Sequence, residues 1–381
     1  MTTFRAWMVL GLVMGLLPPL RQAQAVEFTG SGFLTFAAGK MLKGETSDAF
    51  FVSDYGQGGI YEKSKGWSLR PDSKLGLQGV ATFNPEWSAT VQVVSRGARD
   101  GKVNLEWLYL TYKASENLAL QVGRKRLPLF YYSESQDVGI ALPWLRLPPP
   151  AYGWDVVNFN GANLIYRNRI SDWNSVAEAF YGNESRRDNP YLEIYNGRGT
   201  DWNEKWKNIH GVAWTLSRDW LELRFSYVGS GLEYWDTLDK PGTRVSSRQS
   251  FYSLAAAVDR GNWLVRGEIS KIKRPGRDFQ ERDWATMLGV GYRVGRWLPM
   301  VTYARFQGRY LDGSPNERFD DLSLSLRYDL TPSSALKLQY DAFKDRSETG
   351  ITCYQDPVIC AAGSQRYGNS RLIGISYDMV F

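Results

Sequence analysis

Short segments in which apolar and polar residues alternate recur from one end of the chain to the other. Leu75, Leu77, Gly79, Ala81 and Phe83 interleave with Lys74, Gln78 and Thr82. Leu221, Leu223, Phe225 and Tyr227 interleave with Glu222, Arg224 and Ser226, and Leu322, Leu324, Leu326 and Tyr328 with Ser323, Ser325, Arg327 and Asp329. Trp284, Thr286, Leu288, Val290, Tyr292 and Val294 repeat the pattern around Gly289, Gly291 and Arg293. Successive side chains of a strand point to opposite faces, so a period of two predicts strands with one apolar and one polar face. No internal segment carries the stripe of an amphipathic helix.

The connections sort into two alternating lengths. Short turns fall at 84–87, 115–117, 171–173, 218–220, 260–263, 295–297 and 331–334; longer polar stretches lie near 42–65, 96–102, 127–157, 183–205, 231–248, 272–282, 308–319 and 345–367. Seven short and eight long connections predict sixteen strands. Each strand then has roughly 22 residues with its connection, enough for the ~9–11 residues of a tilted membrane-spanning strand.

Five of the short turns end in tryptophan: Trp87, Trp173, Trp220, Trp263 and Trp297. Tryptophans at the same end of successive strands build a ring, the interfacial girdle in which an amphipathic indole sits at headgroup level. Tryptophans plugging one end of a soluble barrel are the competing reading, but sixteen strands enclose more space than side chains fill. The charged face carries Lys74, Arg96, Arg224, Arg266, Glu268, Arg293, Arg327 and Lys337, too many for a dry core. With that face turned to a watery lumen and the apolar face to lipid, both are satisfied. Closure then leaves no unpaired strand edge in hydrocarbon.

Composition agrees. The 381 residues include 15 tryptophans, 22 tyrosines and 17 phenylalanines, yet mean hydropathy is −0.38. A helical membrane protein needs several apolar runs of ~20 residues. Only the N-terminus approaches one: Arg5, the apolar stretch 6–17 and Ala23-Gln24-Ala25 read as a signal peptide over 1–25, ahead of an exported barrel domain, 26–381. A retained N-terminal anchor is the alternative. Export favours pairing of Cys353 with Cys360 as a local loop staple; a structural zinc site needs four ligands, which two cysteines and one histidine do not supply. The one histidine, His210, shares parity with Val212, Trp214 and Leu216, an interfacial position rather than that of a general base. No spacing singles out a catalytic set, so no enzyme, cofactor, metal or nucleic-acid partner is expected.

The chain at this point resembles the general porins of Gram-negative outer membranes. The resemblance lies in Val26-Glu27-Phe28-Thr29-Gly30-Ser31-Gly32-Phe33-Leu34, similar to the first strand of mature porins, in the turn pattern, and in a last strand alternating Ile373, Ile375, Tyr377, Met379 and Phe381. It implies an all-β, sixteen-stranded antiparallel transmembrane barrel, usually a homotrimer among outer-membrane lipid and lipopolysaccharide. It also implies short periplasmic turns, a third external loop folded into the lumen, and a water-filled path for ions and small hydrophilic solutes. Tyr377 and the terminal Phe381 would then be the assembly signal for the barrel-insertion machinery. The third long stretch, 127–157, lacks the acidic Pro-Glu-Phe-Gly-Gly type of motif of enterobacterial members, so their constriction residues do not transfer.

Read from its own residues, that stretch holds Pro148, Pro149 and Pro150, which favour a stiff extended path, and the aromatics Phe130, Tyr131, Tyr132, Trp144, Tyr152 and Trp154, which need burial. Packing against the inner wall is expected; an outward lid is the alternative. Lys125, Arg126, Glu134, Asp137, Arg146 and Asp155 would set the aperture. Parity assigns Lys74, Arg96, Lys125, Arg167, Arg224, Arg266, Arg293, Arg327 and Lys337 to the lumen, against Glu222, Glu268, Asp329 and Asp341. That basic excess predicts a mild anion preference. Arg124 and Arg126 share the parity of Leu118, Leu120 and Val122, which puts them beyond the hydrocarbon or at a subunit contact. A substrate-specific channel for a sugar or oxyanion is the nearest rival function; a barrel enzyme and an adhesive barrel are more distant ones.

Overall fold

A computed structural model describes residues 25–45, 49–196, 199–238, 244–275, 280–310, 312–313, 315–347 and 368–381. The first strand, β1 (Glu27–Gly44), leads into a small hairpin, β2 (Phe50–Asp54) and β3 (Gly59–Glu62), and a two-residue strand, β4 (Trp67–Ser68). There follow β5 (Lys74–Thr82), β6 (Trp87–Arg96), β7 (Val103–Lys113), β8 (Leu118–Arg126), β9 (Asn158–Ile170) and β10 (Trp173–Arg186). The remaining strands are β11 (Trp202–Arg218), β12 (Leu221–Asp236), β13 (Val245–Arg260), β14 (Trp263–Pro275), β15 (Gln280–Tyr292), β16 (Trp297–Tyr310), β17 (Pro315–Thr331), β18 (Ser334–Asp345) and β19 (Ser370–Val380). Two short helices, α1 (Pro149–Tyr152) and α2 (Pro190–Asn196), lie in long connections.

β1 and β5 to β19 form a closed sixteen-stranded antiparallel barrel, as the alternation predicts. Each strand pairs with the next, and β1 closes the ring by pairing with both β5 and β19. The ends meet there: Gly32 N donates to Phe381 O at 2.7 Å and Phe381 N to Gly32 O at 3.0 Å. With an even number of strands, the start of β1 and the end of β19 both lie at the short-turn rim.

Burial divides the strands of the barrel wall largely by parity. Leu77, Leu108, Val122, Leu288, Val301, Leu322, Leu324 and Ile375 are exposed, whereas Arg96, Glu106, Arg266, Glu268, Lys337, Gln339, Asp341 and Asp378 are buried. The barrel is thus apolar outside and polar inside, the reverse of a protein folded in water.

Three features depart from the sequence reading. Strands run further toward the long connections than expected: β10 reaches Arg186 and β11 begins at Trp202, β12 reaches Asp236 and β13 begins at Val245, and only 276–279 separate β14 from β15. Beyond the apolar belt both faces are polar, so the ladder continues after the alternation that marks it has faded. The first long connection is itself folded, its β2–β3 hairpin packing Phe50, Phe51, Val52 and Tyr61 with Ile194 of α2 against Phe319, Phe343, Leu372 and Met41 of the wall. Finally, Pro149 and Pro150 open helix α1 instead of an extended path, since proline fits a first helical turn whose N–H groups have no intrahelical acceptor.

Candidate functional site

The segment 127–157 leaves and re-enters the wall at a pinched base, where Leu127 N donates to Val157 O at 2.8 Å. From there it is bonded to strands around much of the ring. Tyr131 N and Tyr152 OH donate to the two carboxylate oxygens of Glu268 on β14, at 3.1 and 2.5 Å, and Arg266 Nε donates to Tyr132 OH at 2.8 Å. Trp144 Nε1 donates to Thr302 Oγ1 on β16 at 2.7 Å. Arg327 Nη1 on β17 donates to the carbonyls of Ile140 and Leu142, at 2.7 and 3.0 Å. Lys337 Nζ on β18 donates to those of Gly139 and Trp144, at 2.6 and 2.9 Å. Gly139 rests on Asp378 and Thr35 so closely that a Cβ there would overlap both side chains. The loop's aromatics supply the apolar part of the seat: Phe130 and Trp154 pack with Phe251 and Trp206, and Tyr132 and Trp144 with Met287, Leu298 and Met300.

Charged side chains meet in two buried groups. In the first, Asp137 accepts from Arg96 at 2.6 and 3.2 Å and from Arg126, with Lys74 at 3.8 Å, while Arg96 also donates to Glu106 at 2.6 Å. Burial alone would raise the Asp137 carboxyl; Arg96, Arg126 and Lys74 overcome it and hold the group well below the usual carboxylate range. In the second, Arg146 donates to Asp72 at 2.8 and 3.0 Å and to Asp341, with its guanidinium over the Tyr61 ring. Burial would lower this guanidinium, but Asp72 and Asp341 keep it charged. Between the groups lies a cavity of about 60 Å³ lined by Asp54, Asp72, Lys74, Arg96, Gln136 and Arg146. Larger spaces flank it: about 640 Å³ at the long-connection end beside Gln57, Arg99 and Asn189, and about 550 and 660 Å³ at the short-turn end beside Arg327 and Arg167.

The structure therefore gathers Lys74, Arg96, Arg126 and Asp137, and separately seats Arg146. Of the other nominated residues, Glu134 pairs with Arg224 at 2.9 Å and Arg266 with Asp259 at 2.8 Å, and Arg293 and Arg327 share Asp329 at 2.9 and 2.7 Å. Asp155 is buried near Arg274 at 3.7 Å. Lys125 donates to Gln121 and lies over the Tyr109 ring, and Arg167 lines the 660 Å³ space; neither has an ion pair among the described residues.

Arg126 corrects the parity reading. Arg124 pairs with Glu184 at 2.8 Å, but Arg126 is buried and turns inward to Asp137 at the end of β8, where the chain leaves the wall for the segment 127–157. Sequence reasoning missed Asp72, Glu106 and Asp378, the acids that offset the basic excess. Lys337 pairs with Asp378 at 3.1 Å, and Asp378 also accepts from Thr35 at 2.5 Å. Parity alone marks Asp378, between inward Ser376 and the chain end; Asp72 lies on no strand and carries no periodic signal.

Trp87, Trp173, Trp220, Trp263 and Trp297 all stand at the short-turn rim, and three sit across from tyrosines, Trp87 with Tyr112, Trp263 with Tyr292 and Trp297 with Tyr328, at ring distances of 4.6, 4.9 and 4.5 Å. His210 is exposed on the outer face, its Nδ1 2.8 Å from Asn208 O. Tyr377 lies between Phe36 and Leu336 on the same face. Cys353, Cys360 and the expected signal residues 1–24 lie outside the described residues.

No protein-family model and no curated protein matches the chain. Solved structures do. An anion-selective porin from Comamonas acidovorans superposes with a TM-score of 0.60 at 14% identity, covering 93% of this chain and 100% of that one. The outer-membrane expressed OmpT of Vibrio cholerae gives 0.59 at 9% identity, covering 95% and 100%. The outer membrane channel DcaP of Acinetobacter baumannii gives 0.58 at 13% identity, covering 96% and 100%. At these identities the likeness is one of fold: the chain has the barrel architecture of Gram-negative outer-membrane porins.

Proposed function

We propose that the chain is an outer-membrane channel for passive diffusion of ions and small hydrophilic solutes, narrowed by the segment 127–157 folded into its lumen. The observation that carries this reading is the closed sixteen-stranded barrel, apolar outside and charged inside, with that segment bonded to inward side chains of β14, β16, β17 and β18. A wall so patterned satisfies lipid and water at once. Most lumen cations are offset by carboxylates, so the mild anion preference would rest chiefly on Lys125 and Arg167. Assembly as a homotrimer, with Tyr377 and Phe381 as the insertion signal and without enzymatic activity, belongs to the same proposal.

Purified protein added to planar bilayers of neutral phospholipid should give discrete conductance steps, linear in solute concentration, with a reversal potential of anion-selective sign. Absence of steps from folded protein would refute the channel. The 60 Å³ cavity at the level of the paired charges favours a second reading, a substrate-specific channel. Saturable conductance, blocked by one class of sugar or oxyanion, would support it over unselective diffusion.

A further inference from the structure

Different parts of the chain cover the inner wall along successive arcs. The segment 127–157 packs apolar side chains on β9 to β16, from Phe159 and Phe180 round to Met287 and Met300. Along β5 to β8 the cover is ionic, with Lys74, Arg96, Glu106 and Arg126 gathered around Asp137. The hairpin β2–β3 takes the remaining arc. Its Phe50, Phe51, Val52 and Tyr61 lie on Phe319, Phe343, Leu372 and Met41, inward residues of β17, β18, β19 and β1. Phe51 meets Phe343 edge-on, with ring centres 5.8 Å apart. The approach is close, since a Cβ on Gly39 of β1 would stand 2.6 Å from the Tyr61 ring. At the hairpin tip, Tyr55 packs on Tyr191 and Tyr195 of α2 with ring centres 6.2 and 6.5 Å apart, and a Cβ on Gly56 would stand 2.8 Å from Trp154 O.

Seated in this way, the hairpin is a partition. Its Gln57, Gly58, Ile60 and Glu62 line the space of about 640 Å³ at the long-connection mouth, while its Ser53, Asp54 and Tyr55 line the cavity of about 60 Å³ between the charged groups. Pro71 and Ala98 border both spaces, so the two adjoin and the hairpin stands between them. The inner cavity has room for only a few waters. Two features make the partition removable. β2 and β3 pair with each other and, among the described residues, with no strand of the wall, so the hairpin can lift without opening the barrel. Its seat is apolar, whereas the segment 127–157 is bonded to charged side chains of β14, β17 and β18. A two-stranded hairpin is marginal without such a seat. Tyr61 OH donates to Asp72 at 2.7 Å, the carboxylate that also holds Arg146, so the hairpin's second strand touches the constriction itself.

We propose that β2–β3 is an autoinhibitory plug: seated, it shuts the mouth off from the constriction, and the channel conducts when the hairpin leaves its seat on β17, β18, β19 and β1. The inference rests on the channel reading above. Departure of the hairpin joins the mouth to the inner cavity along the arc it had covered.

The test is single-channel recording of the full-length barrel in planar bilayers of neutral phospholipid at low holding voltage. Wild type should dwell mostly shut and open in discrete events. Replacing residues 50–61 with Gly-Ser-Gly-Ser should abolish the long closures. Phe51→Asp, which sets a carboxylate in the apolar seat, should raise the open-to-shut ratio at least about tenfold. A Val52→Cys reporter, at a position buried in the seat, in a Cys353→Ser, Cys360→Ser background should react with a bulky impermeant maleimide only while the channel is open. Once labelled, that channel should stay open. Where the deletion does not fold, judged by heat-modifiable mobility in detergent, Phe51→Asp and the label decide. Steady conduction by wild type without closures, or a conducting Val52→Cys channel that is never labelled, would overturn the plug alone. Folded protein that conducts in no form, even with 50–61 removed, sinks the channel reading and this inference with it.

Discussion

Replacing Lys337 with methionine tests how the segment 127–157 is held. Lys337 is fully buried on β18, donates to the carbonyls of Gly139 and Trp144, and pairs with Asp378 at 3.1 Å. Methionine keeps the length of the side chain and removes all three interactions. Asp378 retains Thr35 and Ser376 as donors but loses its counter-charge. Removing one partner of a buried pair costs about 3–5 kcal/mol, a range that overlaps the ~1.5–3 kcal/mol of each charge-assisted hydrogen bond. We expect a lower unfolding temperature and, in planar bilayers, larger and noisier single-channel conductance as residues 139–144 loosen. Lys344→Met, at an exposed outward position on the same strand, should change stability by less than about 0.5 kcal/mol. Lys337→Met with Asp378→Leu removes the orphaned charge and should recover part of the stability, yet the two loop carbonyls still lack a donor and the conductance change should persist. Lowered stability with unaltered conductance would show that this segment does not limit the path. Reversion of conductance in the double variant would show that charge, not tethering, was responsible.

Lys125→Glu combined with Arg167→Glu should move the reversal potential in asymmetric salt toward cations, because these are lumen cations without ion pairs among the described residues; an unmoved potential would place selectivity elsewhere. Asp137, depressed by Arg96, Arg126 and Lys74 against the effect of burial, contributes its full docking strength above the ordinary carboxylate range, about pH 4, and loses it only as pH falls through a much lower value. The conductance difference between wild type and Asp137→Asn should therefore be flat from pH 8 to about pH 4, and a step near neutrality would contradict the buried cluster. Deleting Phe381 removes two hydrogen bonds to Gly32 at the closing seam. The yield of barrel assembled in cells should fall while protein refolded into detergent still closes; equal yields in cells would remove Phe381 as an assembly signal.

How much of this could be read from the chain depended on whether the signal was local. Strand number, the inward and outward faces and the tryptophan rim were legible because a period of two and a turn residue act over a few positions, as along Leu322 to Asp329. The full lengths of β10 to β17 were not, because water bathes both faces past the apolar belt and no alternation is imposed there. The hairpin β2–β3 was hidden for a related reason: Phe50, Phe51 and Val52 form a continuous apolar run, and their burial depends on α2 and on three distant strands.

The sequence by itself determined a sixteen-stranded barrel with lipid outside, a charged interior and a long aromatic third connection. Tertiary structure alone decided which charges remain to act on a solute. Parity counted arginines and lysines strand by strand, but Arg146 meets Asp72 and Asp341, 74 and 195 positions away, and Lys337 meets Asp378 across a strand pair. Arg126, at the end of β8, turns inward to Asp137 with Glu106 within 3.6 Å. A charge's effect on a pore depends on its neighbours within a few ångströms, and in a closed barrel those neighbours are set by ring closure and by the loop that crosses between strands.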